Sequence, residues 1–316
     1  FNTIRLSHVY LNVKDLATSK KFYTEILGLQ VTDESESHIY LRAMEERGHH
    51  CVILQKSDQP GTVEVMGFKT FDEQDLEKAE AYFKSKDRPT EWVERPYQGK
   101  TLLTSDNMGI PLEFYQKMDQ LEPIHQKYAL YRGVKPLRID HFNCFSHDVD
   151  ASVAFYSDFG FRVTEYTEDE DSKKLWAAWM HRKGNVHDMA FTNGTGPRMH
   201  HLAFWVPTPL NIIDLLDLMA TTGYVGNIER GPGRHGISNA FFLYILDPDG
   251  HRIEIYCSDY QTVDPDLQPI KWDLKDPQRQ TLWGAAAPES WFKHGTQFVG
   301  VDLKDSELNA TPIVAP

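Results

Sequence analysis

Three residues of this chain, His141, His201 and Glu254, have the types and the placing to hold one metal ion. Two imidazoles and one carboxylate on a single face of a divalent metal leave three coordination positions open, the arrangement used by non-haem Fe(II) oxygenases. The trio spans 254 − 141 = 113 positions, so it forms no local motif. On spacing alone, His141 and Glu254 could be polar residues at strand ends and His201 a satisfied core histidine. An internal repeat favours the metal. The segment LSHVYLNVKDLATSKKFYTEILGL carries His8, and IDHFNCFSHDVDASVAFYSDFGF carries His141 at an offset of 141 − 8 = 133. Asp15/Asp148, Ser19/Ser152, Phe22/Phe155 and Tyr23/Tyr156 keep that offset, and Gly28/Gly160 differs by 132. Glu113 and Glu254 lie in matching closing strands, and VEVMGFKT aligned with MHHLAFWV places Val65 opposite His201. One copy therefore offers His, Val, Glu and the other His, His, Glu. Ligands at equivalent places on successive strands of one module should converge, and the blank copy shows that the fold does not require the middle histidine.

The elements that must position these residues follow from periodicity. HVYLNV alternates, so His8, Tyr10 and Asn12 share a face. By the same alternation Asn143 faces with His141, and His200 turns away from His201, leaving His201 as the ligand. Helical spacing predicts helices at DLATSKKFYTEILG, DEQDLEKAEAYFKSK, SVAFYSDFGF and LNIIDLLDLMATTG, the first ending at Gly28. Strands are expected at HIYLRA, HHCVILQ, KLWAAWM, VHDMAFT, HHLAFWV, NAFFLYILD and HRIEIYC, the last two joined by Asp247-Pro248-Asp249-Gly250. The fold class is α+β in two tandem domains. Residues 1–116 form a non-catalytic domain, 117–136 a linker and 137–260 the metal-binding domain. A tail at 261–316 packs over the second domain, loose over about its last dozen residues.

Composition bounds the rest. A chain of 316 residues with 41% hydrophobic and 25% charged side chains suits two ordinary globular domains. Its net charge of −13 argues against nucleic acid as a partner. No apolar run reaches the roughly 20 residues that cross a bilayer, and FNTIRLSHVYLNV enters a strand pattern at once, without a secretory signal. Cys51, Cys144 and Cys257 are dispersed and odd in number, which suits free thiols in a reducing cytoplasm.

A strand–helix–strand–strand–strand module occurring twice per copy resembles the vicinal oxygen chelate, or glyoxalase-like, superfamily, whose paired βαββ units curl into open, barrel-like cups. The segments DHFN (140–143), AAWMHRK (177–183), VHD (186–188), RMHHLAF (198–204), IERGPGRHGISNAFFLYILDPDGHRIEIY (228–256) and SW (290–291) are similar to type I extradiol ring-cleaving dioxygenases, most of all those acting on homoprotocatechuate. The resemblance covers residues 4–292. It implies Fe(II), with Mn(II) also accepted, held by His141, His201 and Glu254. The partners would be a catechol and O2, and the assembly a homotetramer. A chelating catechol takes two metal positions and leaves one for O2, so a fourth protein ligand would block the reaction.

The resemblance also assigns roles around the metal. His187 would be the acid–base group, because a catechol loses protons on chelation and histidine titrates in the right range. Tyr244 and His235 would hydrogen-bond the substrate oxygen that stays anionic. Asn143 would line the pocket for O2 or substrate, while Trp179 and Trp291 would contact the substrate. Arg230, on a Gly-Pro-Gly loop, could fork onto a substrate carboxylate. QRQTLWG departs from the family by following Arg279 with Gln280 in place of a second arginine. That change leaves two substrates open, an acidic catechol and a neutral or alkylated one. An isomerase or lyase on the same cup is the rival reading, although such enzymes carry a fourth protein ligand and Val65 argues against one.

Overall fold

The computed structural model describes residues 1–314. The first half runs β1 (Thr3–Val13), α1 (Leu16–Lys21), β2 (Gln30–Glu34), β3 (His38–Arg42) and β4 (Val52–Lys56), then β5 (Thr62–Thr70), α2 (Glu73–Ser85), β6 (Glu91–Arg95), β7 (Gly99–Ser105) and β8 (Pro111–Tyr115). The second half repeats this order with β9 (Arg138–Ser146), α3 (Val149–Asp158), β10 (Arg162–Glu168), β11 (Leu175–His181) and β12 (Met189–Asn193). It closes with β13 (Arg198–Trp205), α4 (Pro209–Thr221), β14 (Ile228–Arg234), β15 (Phe241–Leu246) and β16 (Arg252–Cys257). These are four modules of strand, helix and three strands (βαβββ), two to a cup, one strand longer than the βαββ unit that the resemblance implies. In the first cup β1 is parallel to β4 and antiparallel to β5, which is parallel to β8. In the second, β9 stands in the same relations to β12 and β13, and β13 to β16.

The register matches the repeat read from the sequence. Tyr10 faces Val65 and Gly67 faces Glu113, just as Asn143 faces His201 and Ala203 faces Glu254. Capping sets the helix starts. Asp15 accepts from the Thr18 amide, Asp148 from the Ala151 amide, and Asp72 with Asp75 forms a reciprocal box. Past α1 the chain makes a wider turn, Phe22–Leu27, and stops at Gly28 with φ 89°. A Cβ there would lie 1.9 Å from the Arg132 carbonyl oxygen, so the position needs glycine.

Two boundaries differ from expectation. The helix expected from Ser152 begins at Val149, because Asp148 caps it, and ends before Phe159. The strand expected from Val186 begins at Met189, which puts His187 on the turn after β11. After β16 the tail forms β17 (Ile270–Asp273) on β10, β18 (Trp283–Gly284) on β14, α5 (Glu289–Lys293), and β19 (Thr296–Phe298) against β13 and β5. Within the stretch expected to be loose, the Leu308 and Ala310 carbonyls accept from Asn193 and Trp176, while Ala315 and Pro316 lie outside the described residues. No helix among the described residues is long and apolar enough to cross a membrane.

The two halves meet through polar as well as apolar contacts. Tyr23 donates to Asp247 at 3.0 Å, and Tyr156 to Asp106 at 3.3 Å. Burial pushes the Asp106 carboxyl up to about 6, although the Met108 and Ile110 amides donate to it. Its folded pKa exceeds the unfolded value, so its contribution is fully present at low pH and is lost as pH rises through about 6. Asp106→Asn should therefore stabilise the protein relative to wild type at pH 8, by ~1–3 kcal/mol, and should show no such gain at pH 4. Urea unfolding of both proteins at the two pH values measures the difference.

Candidate active site

Strand β13 lies between β9 and β16, so His141, His201 and Glu254 project from three neighbouring strands. The His141 Nε2 lies 2.9 Å from Glu254 Oε2 and 3.2 Å from His201 Nε2, and the His201 Nε2 lies 3.1 Å from the same carboxylate oxygen. All three side chains are buried. Metal bonds of roughly 2.1 Å at right angles place neighbouring ligand atoms roughly 3.0 Å apart, so the observed triangle fits one octahedral face.

The outer atoms of each ligand are already committed, which fixes what points inward. The His141 Nδ1–H donates to Asp140 at 3.1 Å, and Asp140 also accepts from Asn185 at 2.9 Å and from Tyr256. Burial alone would raise the Asp140 carboxyl, but Lys183 and the His141 hydrogen bond hold it well below the usual range. The His201 Nδ1 lies 2.6 Å from the His200 Nδ1, and the His200 Nε2 lies 2.9 Å from the Trp291 carbonyl oxygen. A carbonyl can only accept. His200 therefore carries its proton on Nε2, its Nδ1 accepts from His201 Nδ1–H, and the His201 Nε2 keeps its lone pair for the metal. Tyr244 donates to Glu254 Oε1 at 2.7 Å and leaves Oε2 free. The donor set and its tautomers fit a divalent cation.

His200 corrects the alternation argument. A bulge between Met199 and His201 breaks the period of two, so His200 stays on the ligand side and braces His201. Sequence reasoning missed this role and that of Asp140. The adjacent pairs Asp140-His141 and His200-His201 were the available signals.

A pocket opens on this centre. Its walls bring together the three ligands with Asn143, Trp179, His187, His235, Tyr244, Arg279, Gln280 and Trp291, and add Phe145, Trp176 and Ile237. The His187 ring sits 3.7 Å, centroid to centroid, from His141, and its Nδ1 has no hydrogen-bond partner. Burial, reinforced by His141, pushes its pKa well below the usual histidine value, so the ring is neutral. His235 Nδ1–H donates to the Gln280 carbonyl, and burial together with Arg230 lowers this imidazole to about 3. Its Nε2 lies 2.9 Å from the Tyr244 hydroxyl, which thus has one proton and two acceptors, His235 and Glu254. Asn143 Oδ1 accepts from Thr192 at 3.1 Å, which aims the amide. Arg230 is the one expected residue that does not reach the cavity wall. It lies on β14, stacked 4.5 Å from the Trp291 ring and donating to Thr281 at 2.9 Å.

The first cup handles the same carboxylate without a metal. Glu113 Oε1 lies 2.6 Å from His8 Nε2 and 2.8 Å from Gln98, while its Oε2 accepts from Arg95 at 3.0 Å. An imidazole, an amide and a guanidinium surround the charge, and Val65 takes the place of the second histidine.

Known proteins agree with this geometry. Residues 5–114 and 138–255 match the model of the Glyoxalase/Bleomycin resistance protein/Dioxygenase superfamily. A metapyrocatechase of Geobacillus stearothermophilus is 31% identical, with 94% of each chain covered. A manganese-dependent 2,3-dihydroxybiphenyl 1,2-dioxygenase of Geobacillus genomosp. 3 is 30% identical over 88% of this chain and 93% of its own. The anaerobic substrate complex of homoprotocatechuate 2,3-dioxygenase from Brevibacterium fuscum superposes with a TM-score of 0.92 at 42% identity, covering 96% of both chains. The chain belongs to the Glyoxalase/Bleomycin resistance protein/Dioxygenase superfamily and, within it, to the extradiol ring-cleaving dioxygenases. Its His141, His201 and Glu254 side chains are placed to hold a divalent metal ion as cofactor.

Elemental analysis after metal loading should find one ion per wild-type chain and none in His201→Ala. Val65→His should add no second ion, because Arg95 and Gln98 still hold Glu113.

Proposed function

We propose that this dioxygenase cleaves a catechol with a carboxylate side chain, of the homoprotocatechuate type, beside its two hydroxyls, to give a hydroxymuconic semialdehyde. The observation that carries the substrate class is Arg279. Only 1% exposed, it lines the cavity, has no carboxylate within ion-pair reach among the described residues, and leaves Nε and Nη2 without acceptors there. Burial, opposed by Asp276 and aided by Arg230, brings its pKa down to about 10, so the guanidinium is charged at neutral pH. A buried unpaired cation is costly by several kcal/mol, and a substrate anion would relieve that cost. Gln280 beside it offers a neutral amide, so the grip is weaker than that of two guanidinium groups.

When bound at His141, His201 and Glu254, Fe(II) supplies the centre at which a chelating catechol and O2 meet. The same donor set also accepts Mn(II). Neutral His187, stacked on His141, takes a catechol proton and later returns one to the oxygen. Tyr244 turns its one hydroxyl proton to the substrate oxygen that remains anionic, while His235, its own N–H spent on the Gln280 carbonyl, orients Tyr244 through Nε2, with Asn143 toward O2. Trp179 and Trp291 wall in the ring. Arg230 acts from behind Trp291, holding that ring and the Gln280–Thr281 segment. Three free, buried cysteines suit work in a reducing cytoplasm, and a homotetramer is the expected assembly, to be checked by sedimentation.

Iron-loaded enzyme should consume O2 with 3,4-dihydroxyphenylacetate and form a yellow product. Absence of uptake with every catechol would instead favour the isomerase chemistry. Arg279→Met should lower kcat/KM for the acid at least ~10-fold while changing that for unsubstituted catechol less than ~3-fold. His187→Phe should lower kcat by ~10²- to 10⁴-fold.

A further inference from the structure

The turn that carries His187 is held on all sides while the imidazole itself is not. Asp188, fully buried, spends its carboxylate on four donors. Its Oδ1 accepts from Lys183 Nζ at 2.9 Å and from the Leu6 amide of the other cup at 2.9 Å, and its Oδ2 accepts from the Arg182 and Lys183 amides at 2.7 and 3.1 Å. Arg182 reaches from the same turn to the Thr3 carbonyl and to Asn2 Oδ1 at 2.8 Å. The backbone of Asp188 bonds Met180 and Phe142, which ties the turn to β11 and to the ligand-bearing β9. By contrast, the His187 Nδ1 has no partner among the described residues, and its ring stacks on His141.

We propose that Asp188 is a positioning residue. It clamps the His187 turn to β1 of the non-catalytic cup, so that backbone placement alone holds a free imidazole over the metal ligand His141. This gives the blank half of the chain a task in the reaction. A side chain hydrogen-bonded at both nitrogens would be equally well placed but unavailable for proton transfer. The proposal rests on the acid–base role of His187 given above. Misplacing a reacting group by about an ångström can cost ~10²-fold in rate, so the expected effect lies in kcat.

The test is a double-mutant cycle on iron-loaded, full-length enzyme with 3,4-dihydroxyphenylacetate, with metal content and melting temperature measured for each variant. Asp188→Asn should lower kcat ~10- to 100-fold at full metal occupancy, with KM moved less than ~3-fold. In the His187→Phe background the same substitution should cost less than ~2-fold, because its effect acts through a ring that is gone. Losses that multiply, a loss that tracks iron content, or an unchanged kcat in Asp188→Asn would each overturn the proposal. If His187→Phe alone left kcat intact, the acid–base assignment would fall, and the positioning claim with it. Should Asp188→Asn not fold, Arg182→Gln enters the same cycle, with a ~3- to 10-fold loss expected in wild type and none beside His187→Phe.

Discussion

Three lone pairs, two from imidazoles and one from a carboxylate, face one another across about 3 Å at the buried end of the pocket. That contact is repulsive unless a cation lies between the donors, and everything around it serves to keep them there. The strands alone cannot do so, since each side chain could rotate its lone pair away. Rotation is stopped from outside. Asp140 holds one ring by its far nitrogen, His200 holds the other, and Tyr244 holds the far carboxylate oxygen. Each of these partners is itself held, by Tyr256 and Asn185, by the Trp291 carbonyl, and by His235. The Trp291 link explains why a tail outside the four modules matters, for it closes the hydrogen-bond chain that sets the His201 tautomer.

The first cup meets the same constraint by a different route. Its glutamate is buried at the same register position, next to the same first-strand histidine, yet Arg95 and Gln98 approach from the cup's own strand and loop and satisfy both oxygens. With the charge matched by protein, a third ligand has nothing to coordinate, and an apolar Val65 packs with Tyr10, Tyr40 and Ile53. The comparison separates what the fold needs from what the chemistry needs. A carboxylate at this position requires neutralisation in either cup. Only one of them leaves that task to a metal.

Much of this was legible in the sequence because it is a matter of position along strands. The offset between His8 and His141 and the pairing of Val65 with His201 are register statements, and parallel or antiparallel ladders preserve register. The fold class followed from the same repeat. What escaped were features set by local exceptions. The bulge at Met199–His201 turned His200 from an outward residue into a brace, and periodicity cannot announce a bulge. His187 was expected in a strand because Val-His-Asp reads as one, whereas Asp188 prefers to collect turn amides. Arg230 was read as a loop residue from its Gly-Pro-Gly neighbours, but Trp291, sixty-one positions later, covers it.

The cavity also shows why its polar atoms were not paired off as those of the ligand shell were. Donors and acceptors that must meet a substrate have to stay unmet in its absence. Arg279 lacks acceptors for two of its nitrogens, Gln280 Oε1 lacks a donor, and His187 Nδ1 lacks either. Each such gap costs about 1–3 kcal/mol in a folded chain, more for a charged group. The surrounding scaffold offsets that cost through hydrogen-bond networks a residue or two away, at Asp140 Oδ2, His200 and Asp188. The contrast between a braced outer layer and an unsatisfied wall is what prepares this cup for a substrate. It lies in hydrogen bonds between strands, turns and tail, so no single stretch of sequence contains it.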